Sequence, residues 1–178
     1  MRTVLSLTLL LTAVAVLSGS RPDAPSEFPR TTIDLGVHVA DLETSAVFYT
    51  DVIGFTEVEG FEVTADFATA AGLTDRQPLS VRVLVLGEGE SATRLKLMEI
   101  SDVDTKQSDN AYVHSQLGYR YLTIFVADMN AALTRLQAGG REPLAEGPIL
   151  IGEDPSGDYL IVVRDPDGNL LELIGPKQ

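Results

Sequence analysis

Residues 31–41 alternate between apolar and polar side chains. Every second residue from Ile33 to Val39 is apolar, whereas Asp34, Gly36 and His38 fall on the other face. A period of two residues is typical of a strand that is buried on one side only. The pattern therefore predicts a first strand whose polar face carries a carboxylate and an imidazole.

The spacing changes at Asp41, after which apolar residues recur three or four positions apart as far as Ile53. This spacing predicts a helix with one buried face. Asp41 is a favourable N-cap residue, and Gly54 stands where the helix should end. A strand, an aspartate and a helix that ends at glycine thus form one unit.

The same unit returns in the second half of the chain, beginning at Tyr121. The tripeptide Val-Ala-Asp occurs at 39–41 and again at 126–128, in both places where a strand pattern meets a helix pattern. Asp128 is the expected N-cap of the second helix, which the glycine pair at 139–140 should end. The repeat indicates two modules built on one plan.

Alternating strand segments follow the helix in both halves. Asp-Pro-x-Gly sequences at 154–157 and 165–168 predict hairpin turns, because proline presets one turn dihedral and glycine supplies the positive one. One module alone leaves a sheet face uncovered. We therefore expect an α+β fold in which two βαβββ modules pair into one domain with a shared β-sheet cleft. The expected boundaries are 31–101 for the first module, 102–116 for a polar linker, 117–176 for the second module and 31–176 for the whole domain.

The first twenty residues differ from the rest of the chain. One arginine, Arg2, precedes an apolar run from Val4 to Leu17, and small residues follow. This is the pattern of a secretory signal peptide, and the run is short for a stable membrane span. We expect a signal peptide at 1–20, a disordered proline-rich lead-in at 21–30, and a secreted or periplasmic protein. The alternative is an uncleaved N-terminal anchor.

The charge of the chain limits its partners. It has 13 basic and 26 acidic residues, for a net charge of −13, and no cysteine. Such a surface repels nucleic-acid phosphates and anionic lipid, so we expect neither nucleic acid nor, after signal removal, membrane as a partner. Solubility alone also explains the acidity. The lack of cysteine excludes disulfides, thiolate metal sites and a cysteine nucleophile.

The sequence GVHVADLETSAVFYTDVIGF, residues 36–55, resembles the opening of the vicinal oxygen chelate superfamily. That superfamily includes glyoxalase I, bleomycin-resistance proteins, fosfomycin-resistance proteins and extradiol dioxygenases. The similar positions are Asp41-Leu42, Phe48-Tyr49 and Ile53-Gly54-Phe55, and RDPDGNLLELIGP at 164–176 resembles the closing strand of the family. The resemblance implies the fold but leaves the reaction open, since the superfamily carries many chemistries on one scaffold.

The resemblance also implies a metal position in the cleft, with one ligand from the first and last strand of each module. The family pattern of His or Gln, Glu, His and Glu becomes Asp34, Lys96, Tyr121 and Glu172 here. An ammonium group repels a cation, and a neutral phenol is a poor ligand. We therefore expect a degenerate metal site and no cofactor. The alternative is a hard divalent ion held by Asp34 and Glu172 with water.

His38 is out of phase with this metal position. It shares a strand face with Asp34, but four strand residues span roughly 13 Å, so the two cannot bind one ion. His38 could contact a ligand or act as a base at one end of the cleft, or it could be a structural histidine with satisfied hydrogen bonds. His114, in the polar linker, is expected to be an exposed loop residue.

Strand parity predicts which side chains line the cleft. The expected ligand-binding residues are Asp34, His38, Lys96, Met98, Tyr121, Thr123, Phe125 and Glu172. Arg82 and Leu84 are added from a neighbouring strand. A mixed apolar, aromatic and ionic lining is typical of ligand pockets, although the same aromatic side chains could simply fill a closed cleft.

Three functions agree with these patterns. The first is an exported protein that binds a small organic molecule without the usual metal. The resemblance permits this function, because bleomycin-resistance proteins of that superfamily bind and sequester a molecule without catalysis. The second is a glyoxalase-type lyase or isomerase, which would use either a divalent metal or Glu172 as the catalytic proton-transfer residue, with Lys96 or Tyr121 as electrophile. The third is an interaction module with a closed cleft. The resemblance is also compatible with a homodimer, since the family often pairs modules between chains.

Overall fold

The computed structural model describes residues 28, 30 and 32–178. The predicted signal peptide and most of the predicted lead-in lie outside these residues. Within the described part of the chain, no helix is long and apolar enough to cross a membrane.

Two four-stranded mixed sheets form the framework of the protein. The first module contains β1 (Leu35–His38), α1 (Leu42–Val47), β2 (Thr56–Val63), α2 (Ala65–Ala70), β3 (Leu79–Leu86) and β4 (Thr93–Glu99), and α1 continues as a π-helical segment, Phe48–Ile53. The second module contains β5 (Tyr121–Phe125), α3 (Met129–Ala138), β6 (Ile149–Leu150), β7 (Asp158–Arg164) and β8 (Leu170–Pro176). The strand orders are β1-β4-β3-β2 and β5-β8-β7-β6. The predicted α+β fold with two modules is thus confirmed.

The strand registers show that the two modules repeat one design. β1 runs parallel to β4, with Gly36 opposite Lys96, and β5 runs parallel to β8, with Thr123 opposite Glu172. The other strand pairs are antiparallel. Lys96 and Glu172 therefore occupy equivalent places on the last strand of their modules, as the sequence repeat predicted.

The predicted helix ends are confirmed. The Asp41 carboxylate accepts a hydrogen bond from the Thr44 amide at 2.7 Å, and the Asp128 carboxylate accepts one from the Asn130 amide at 2.9 Å. Each satisfies a backbone donor that has no partner within its helix. Gly54 ends the π-helical segment with φ of 106°, in the left-handed region that glycine adopts without a steric penalty. The two Val-Ala-Asp tripeptides are therefore strand-to-helix junctions.

One hydrophobic core joins the modules. Phe48 and Tyr49 from the first module and Met129 and Leu136 from the second are all buried in it. The core also takes the inward faces of both sheets, including Leu97 from the first. Burying one such side chain contributes about 1.5–3 kcal/mol. The modules are therefore parts of one domain. They pack against each other through the sheet faces on which the helices lie.

The short helix α2 was not predicted, because only strand segments were expected to follow the first helix of the module. Thr64 caps it by accepting a hydrogen bond from the Phe67 amide at 3.3 Å. Ala68 is completely buried and packs with Val81 and Val83 in a second, smaller core on the other face of the first sheet. This helix therefore covers part of the face that was expected to line an open cleft.

The predicted orientation of Arg82 and Leu84 was wrong. Leu84 is fully buried in the core that joins the modules, and the Arg82 guanidinium binds the carboxylates of Glu57 and Glu43 on that side. The antiparallel register places Val83 opposite Lys96. Successive residues of a strand point to opposite faces of the sheet. Val83 therefore shares the face of Lys96, and Arg82 and Leu84 point to the other face.

A buried carboxylate ties the modules together. Asp165, in the turn between β7 and β8, is 1% exposed and accepts hydrogen bonds from the Tyr49 hydroxyl at 2.9 Å and the Asn169 amide side chain at 2.8 Å. The backbone amides of Asp167 and Asn169 donate to its other oxygen. Burial raises the pKa of the Asp165 carboxyl, and burial beside this carboxylate also raises the pKa of Tyr49. Four donors thus satisfy a carboxylate that could not otherwise be buried.

Replacing Tyr49 with phenylalanine removes one of these donors and keeps the shape of the core. We expect Tyr49→Phe to lower the free energy of unfolding by about 1.5–3 kcal/mol, the range for hydrogen bonds to charged groups. Urea unfolding followed by circular dichroism measures this difference. Tyr159→Phe is the matched control, because its hydroxyl donates only to the nearby Pro155 carbonyl, at 3.2 Å. Equal losses in the two variants would contradict a special role for the buried pair.

Candidate functional site

A cavity of about 980 Å³ lies between the two modules. Its walls come from β1 and the two residues after it, the segment 99–108, the beginning of β5 and the turn that contains Asp167. Ligand pockets in proteins commonly measure about 300–1,000 Å³. The modules therefore share a cleft that is large enough for a small organic molecule.

Apolar and polar groups alternate around this cavity. Tyr119, Tyr121, His38 and Lys106 supply aromatic rings and polar ends, and the apolar part of the lining includes Leu35, Val37, Ile100, Val103, Leu122, Leu170 and Leu171. The Arg120 guanidinium also lines the cavity, but it donates to the carbonyls of Asp109, Tyr112 and Val113 and so organises the linker.

His38 lies at this cavity and not in the protein interior. Its side chain is exposed, and no hydrogen bond or ion pair holds it within the described part of the chain. This placement does not fit a structural histidine with satisfied hydrogen bonds, whereas it leaves both ring nitrogens available to a ligand. His114 is exposed in the linker, as expected, and stacks on Tyr112 with 5.5 Å between ring centroids.

Lys96 and Asp34 form an ion pair on the first module. The Lys96 ammonium nitrogen lies 2.9 Å from a carboxylate oxygen of Asp34, and both side chains are mostly covered, with 33% and 17% exposure. The hydrogen bond from Lys96 is the main reason that the pKa of the Asp34 carboxyl lies below its usual value. Two of the four residues at the family's metal positions thus neutralise each other.

Glu172 and Thr123 form the corresponding pair on the second module. The Thr123 hydroxyl donates to the Glu172 carboxylate at 2.7 Å. Tyr121 and Phe125 flank this pair on the same strand face and are 48% and 75% exposed. Among the described residues, no hydrogen bond or ion pair links these side chains to the ion pair on the first module.

These residues do not fit the metal ion of the resembled family. In residues 28, 30 and 32–178, no three histidine, cysteine, aspartate or glutamate side chains come close enough together to hold a metal. The first module presents an ammonium group that is already bound to a carboxylate. The second presents one carboxylate beside a phenol, which is a weak ligand when neutral.

The structure places two of the predicted ligand-binding residues at the cavity and the other six elsewhere on the two sheets. His38 and Tyr121 line the cavity. The residues outside its lining are Asp34, Lys96, Met98, Thr123, Phe125 and Glu172. Met98 packs against the small core beneath α2. Sequence reasoning missed Tyr119 and the segment 99–108, although the alternation of Tyr119 with Tyr121 continues the strand pattern one step earlier.

The ion pair predicts a change in the pKa of Asp34 when Lys96 loses its charge. Because the pKa of Asp34 is lowered in the folded protein, the pair stabilises the fold above the ordinary value of 3.8 and this stability disappears as the pH falls through the lowered pKa. In Lys96→Met, we expect the pKa of Asp34 to rise and this acid-dependent loss of stability to shrink. Carboxyl ¹³C NMR titration measures the pKa, with Lys106→Met as the charge-matched control. An unchanged pKa in Lys96→Met would show that the pair does not form.

The chain matches known proteins over most of its length. The family model of the Glyoxalase/Bleomycin resistance protein/Dioxygenase superfamily matches residues 33–173. A Vibrio cholerae protein named probable lactoylglutathione lyase is 30% identical over 146 residues, which are 80% of this chain and 88% of that protein.

Solved structures share the fold at lower identity. A glyoxalase family protein from Bacillus cereus superposes with a TM-score of 0.68 at 19% identity, covering 87% of this chain and 100% of that chain. The trypanothione-dependent glyoxalase I of Leishmania major gives a TM-score of 0.55 at 22% identity, covering 82% of this chain and 86% of that chain. Family model, sequence relative and fold agree, and the chain belongs to the Glyoxalase/Bleomycin resistance protein/Dioxygenase superfamily.

Proposed function

We propose that this protein binds a small organic molecule in the cavity between its modules and does so without the metal ion of its family. The observation that carries this proposal is the Lys96–Asp34 ion pair, which places a positive charge at a family metal position. The cavity and its unpaired polar side chains supply the binding site.

Electrostatics disfavours a divalent ion beside Lys96. Two like unit charges about 4 Å apart repel by about 4 kcal/mol at an effective dielectric constant of 20, and a divalent ion doubles that cost. The Asp34 carboxylate offers little compensation, because it is already paired with the ammonium group at 2.9 Å. Binding that relies on hydrogen bonds and apolar contact therefore suits this chain better than chelation.

The cavity offers such contacts. His38 carries an imidazole without a protein partner, and the Tyr121 hydroxyl has no hydrogen-bond partner among the residues that the structure describes. Apolar side chains such as Leu122 and Leu170 form the neighbouring wall. A few polar groups set in an apolar lining are what fixes the orientation of a ligand in most pockets.

The second candidate function is a lyase or isomerase of the glyoxalase type. The name of the Vibrio cholerae relative, probable lactoylglutathione lyase, favours it. Glu172 would be the proton-transfer residue, since its carboxylate lies on an open strand face and is oriented by the Thr123 hydroxyl. An assay of lactoylglutathione turnover tests this candidate. Turnover that disappears in Glu172→Gln would establish the enzyme, whereas no turnover supports the binding protein.

We also infer that the mature protein is exported and has a second copy of itself as a partner. Export rests on the apolar segment of residues 1–20, which has the sequence of a signal peptide. The homodimer rests on the exposed side chain of Phe125, which a second copy would remove from water.

The protein is expected to bind divalent metal only weakly. After loading with Mn²⁺, Zn²⁺ or Ni²⁺ and gel filtration without chelators, elemental analysis should find metal far below one equivalent per chain, because the family positions lack a convergent set of ligands. The Vibrio cholerae relative, treated in parallel, is the comparison. Retention of one equivalent that is lost in Glu172→Gln would overturn the metal-free proposal.

Ligand binding should depend on the two predicted residues that line the cavity. A thermal-shift screen of aromatic compounds identifies a ligand, and titration calorimetry then compares variants. We expect His38→Ala and Tyr121→Ala to weaken binding about tenfold or more, which corresponds to about 1.4 kcal/mol. His114→Ala, in the exposed linker, is the matched control and should bind normally. Equal affinity in all variants would place the ligand elsewhere.

A further inference from the structure

One wall of the cavity is held far more weakly than the others. We call residues 101–108 the strap, since this segment crosses between the modules from the end of β4. Every strap residue lines the cavity, and every one is exposed. Within the described part of the chain, Ser101 and Asp102 form a turn, and no side chain of residues 101–106 takes part in a hydrogen bond or ion pair. Segments with few buried contacts and no hydrogen bonds open at the lowest cost in free energy.

The strap is fixed at its two ends. Ile100, just before it, packs against the small core beneath α2. At the other end, the Gln107 side-chain amide donates to the backbone carbonyl of Asp167 at 2.8 Å. Beyond the strap, the 7% exposed Asn110 lies 3.4 Å from the side-chain oxygen of Asn169. When the hydrogen bond from Gln107 breaks, the strap can therefore move while Ile100 and Asn110 stay in place.

The partner of Gln107 belongs to the rigid part of the cavity. The Asp167 carboxylate accepts hydrogen bonds from the Ala40 amide at 3.2 Å and the Ser45 hydroxyl at 3.4 Å, so the turn is bound to the first module. The neighbouring Asp165 is the buried carboxylate that binds Tyr49. The hydrogen bond from Gln107 thus joins a weakly held wall to a firmly held one.

We propose that the strap is the gate of the cavity and that the hydrogen bond from Gln107 to Asp167 is its latch. With the latch made, the strap closes one side of the space between the modules. With the latch broken, the strap moves away from the second module while Ile100 and Asn110 still hold the chain on either side, and a ligand enters or leaves. The proposal rests on the proposed function in one respect, since it assigns this cavity to a ligand, whereas the motion of the strap can be tested without one.

Trypsin reports the motion directly, because Lys106 lies inside the strap and next to the latch. Cleavage after Lys106, identified by mass spectrometry, follows the open population when opening is fast. We expect Gln107→Ala to raise the rate of this cleavage about two- to tenfold, the effect of losing one net hydrogen bond. Each rate is divided by the cleavage rate of the same variant unfolded in urea. This division corrects for the effect of residue 107 on how readily trypsin cleaves the neighbouring bond.

The matched control is Gln137→Ala, an exposed glutamine on α3 whose side chain makes no hydrogen bond with other described residues. It should leave cleavage after Lys106 unchanged. If Gln107→Ala and Gln137→Ala are cleaved at the same normalised rate, the latch does not exist and the proposal is overturned.

Entry into the cavity is measured with the dye 1-anilinonaphthalene-8-sulfonate in a stopped-flow fluorimeter. Gln107→Ala should raise the association and dissociation rates together, several-fold, because a gate changes the barrier more than the affinity. Faster cleavage with unchanged dye rates would mean that the strap moves without gating the cavity, which overturns the proposal. If the dye does not bind even the unaltered protein, the cavity assignment fails, and the cleavage rates alone decide whether Gln107 is a latch.

Discussion

The apolar core between the two sheets decides where chemistry can take place in this protein. Alternation along each strand sends side chains such as Leu97 and Leu173 into that core and their neighbours Lys96 and Glu172 to the opposite faces. Since the modules are joined by the faces that carry their helices, the two opposite faces do not meet within the chain. Both modules instead line the cavity beside β1 and the beginning of β5.

Charged groups in this domain are stabilised in two different ways. The buried Asp165 carboxylate is surrounded by four donors, two of them backbone amides, so its position is fixed by the fold itself. The Asp34 carboxylate instead depends on a single flexible ammonium group from Lys96. The first arrangement joins modules, whereas the second occupies a position where relatives need metal ligands. Only the second offsets a negative charge with a positive one.

Much of the fold could be predicted because its elements are long and periodic. The period of two in β1 and β5, the capping residues Asp41 and Asp128, and the hairpin turn at 165–168 all follow from local physical chemistry. The helix α2 could not be predicted, because six residues give too short a pattern and its burial depends on Val81 and Val83 from a distant part of the chain. The orientation of β3 was missed for a similar reason, since its strand is apolar on both faces.

The candidate site was predicted less completely than the fold. Residues such as His38 and Tyr121 lie on strands, so parity indicated their direction. The strap and Tyr119 lie in a segment whose sequence is polar and irregular, and only the packing of the modules brings that segment over the cavity. The side chains that close the site therefore depend on the tertiary arrangement, which no local pattern encodes.

The central proposal is that the Lys96–Asp34 ion pair takes the place of the metal ion in this member of the superfamily. The most direct measurement is anomalous diffraction at the zinc or nickel absorption edge, from crystals of the protein grown with an excess of that ion. The account predicts that the Lys96 ammonium nitrogen lies within hydrogen-bond distance of the Asp34 carboxylate, with no anomalous peak beside them or beside Glu172. An ordered metal peak coordinated by Asp34 or Glu172, with the Lys96 ammonium displaced, would contradict it.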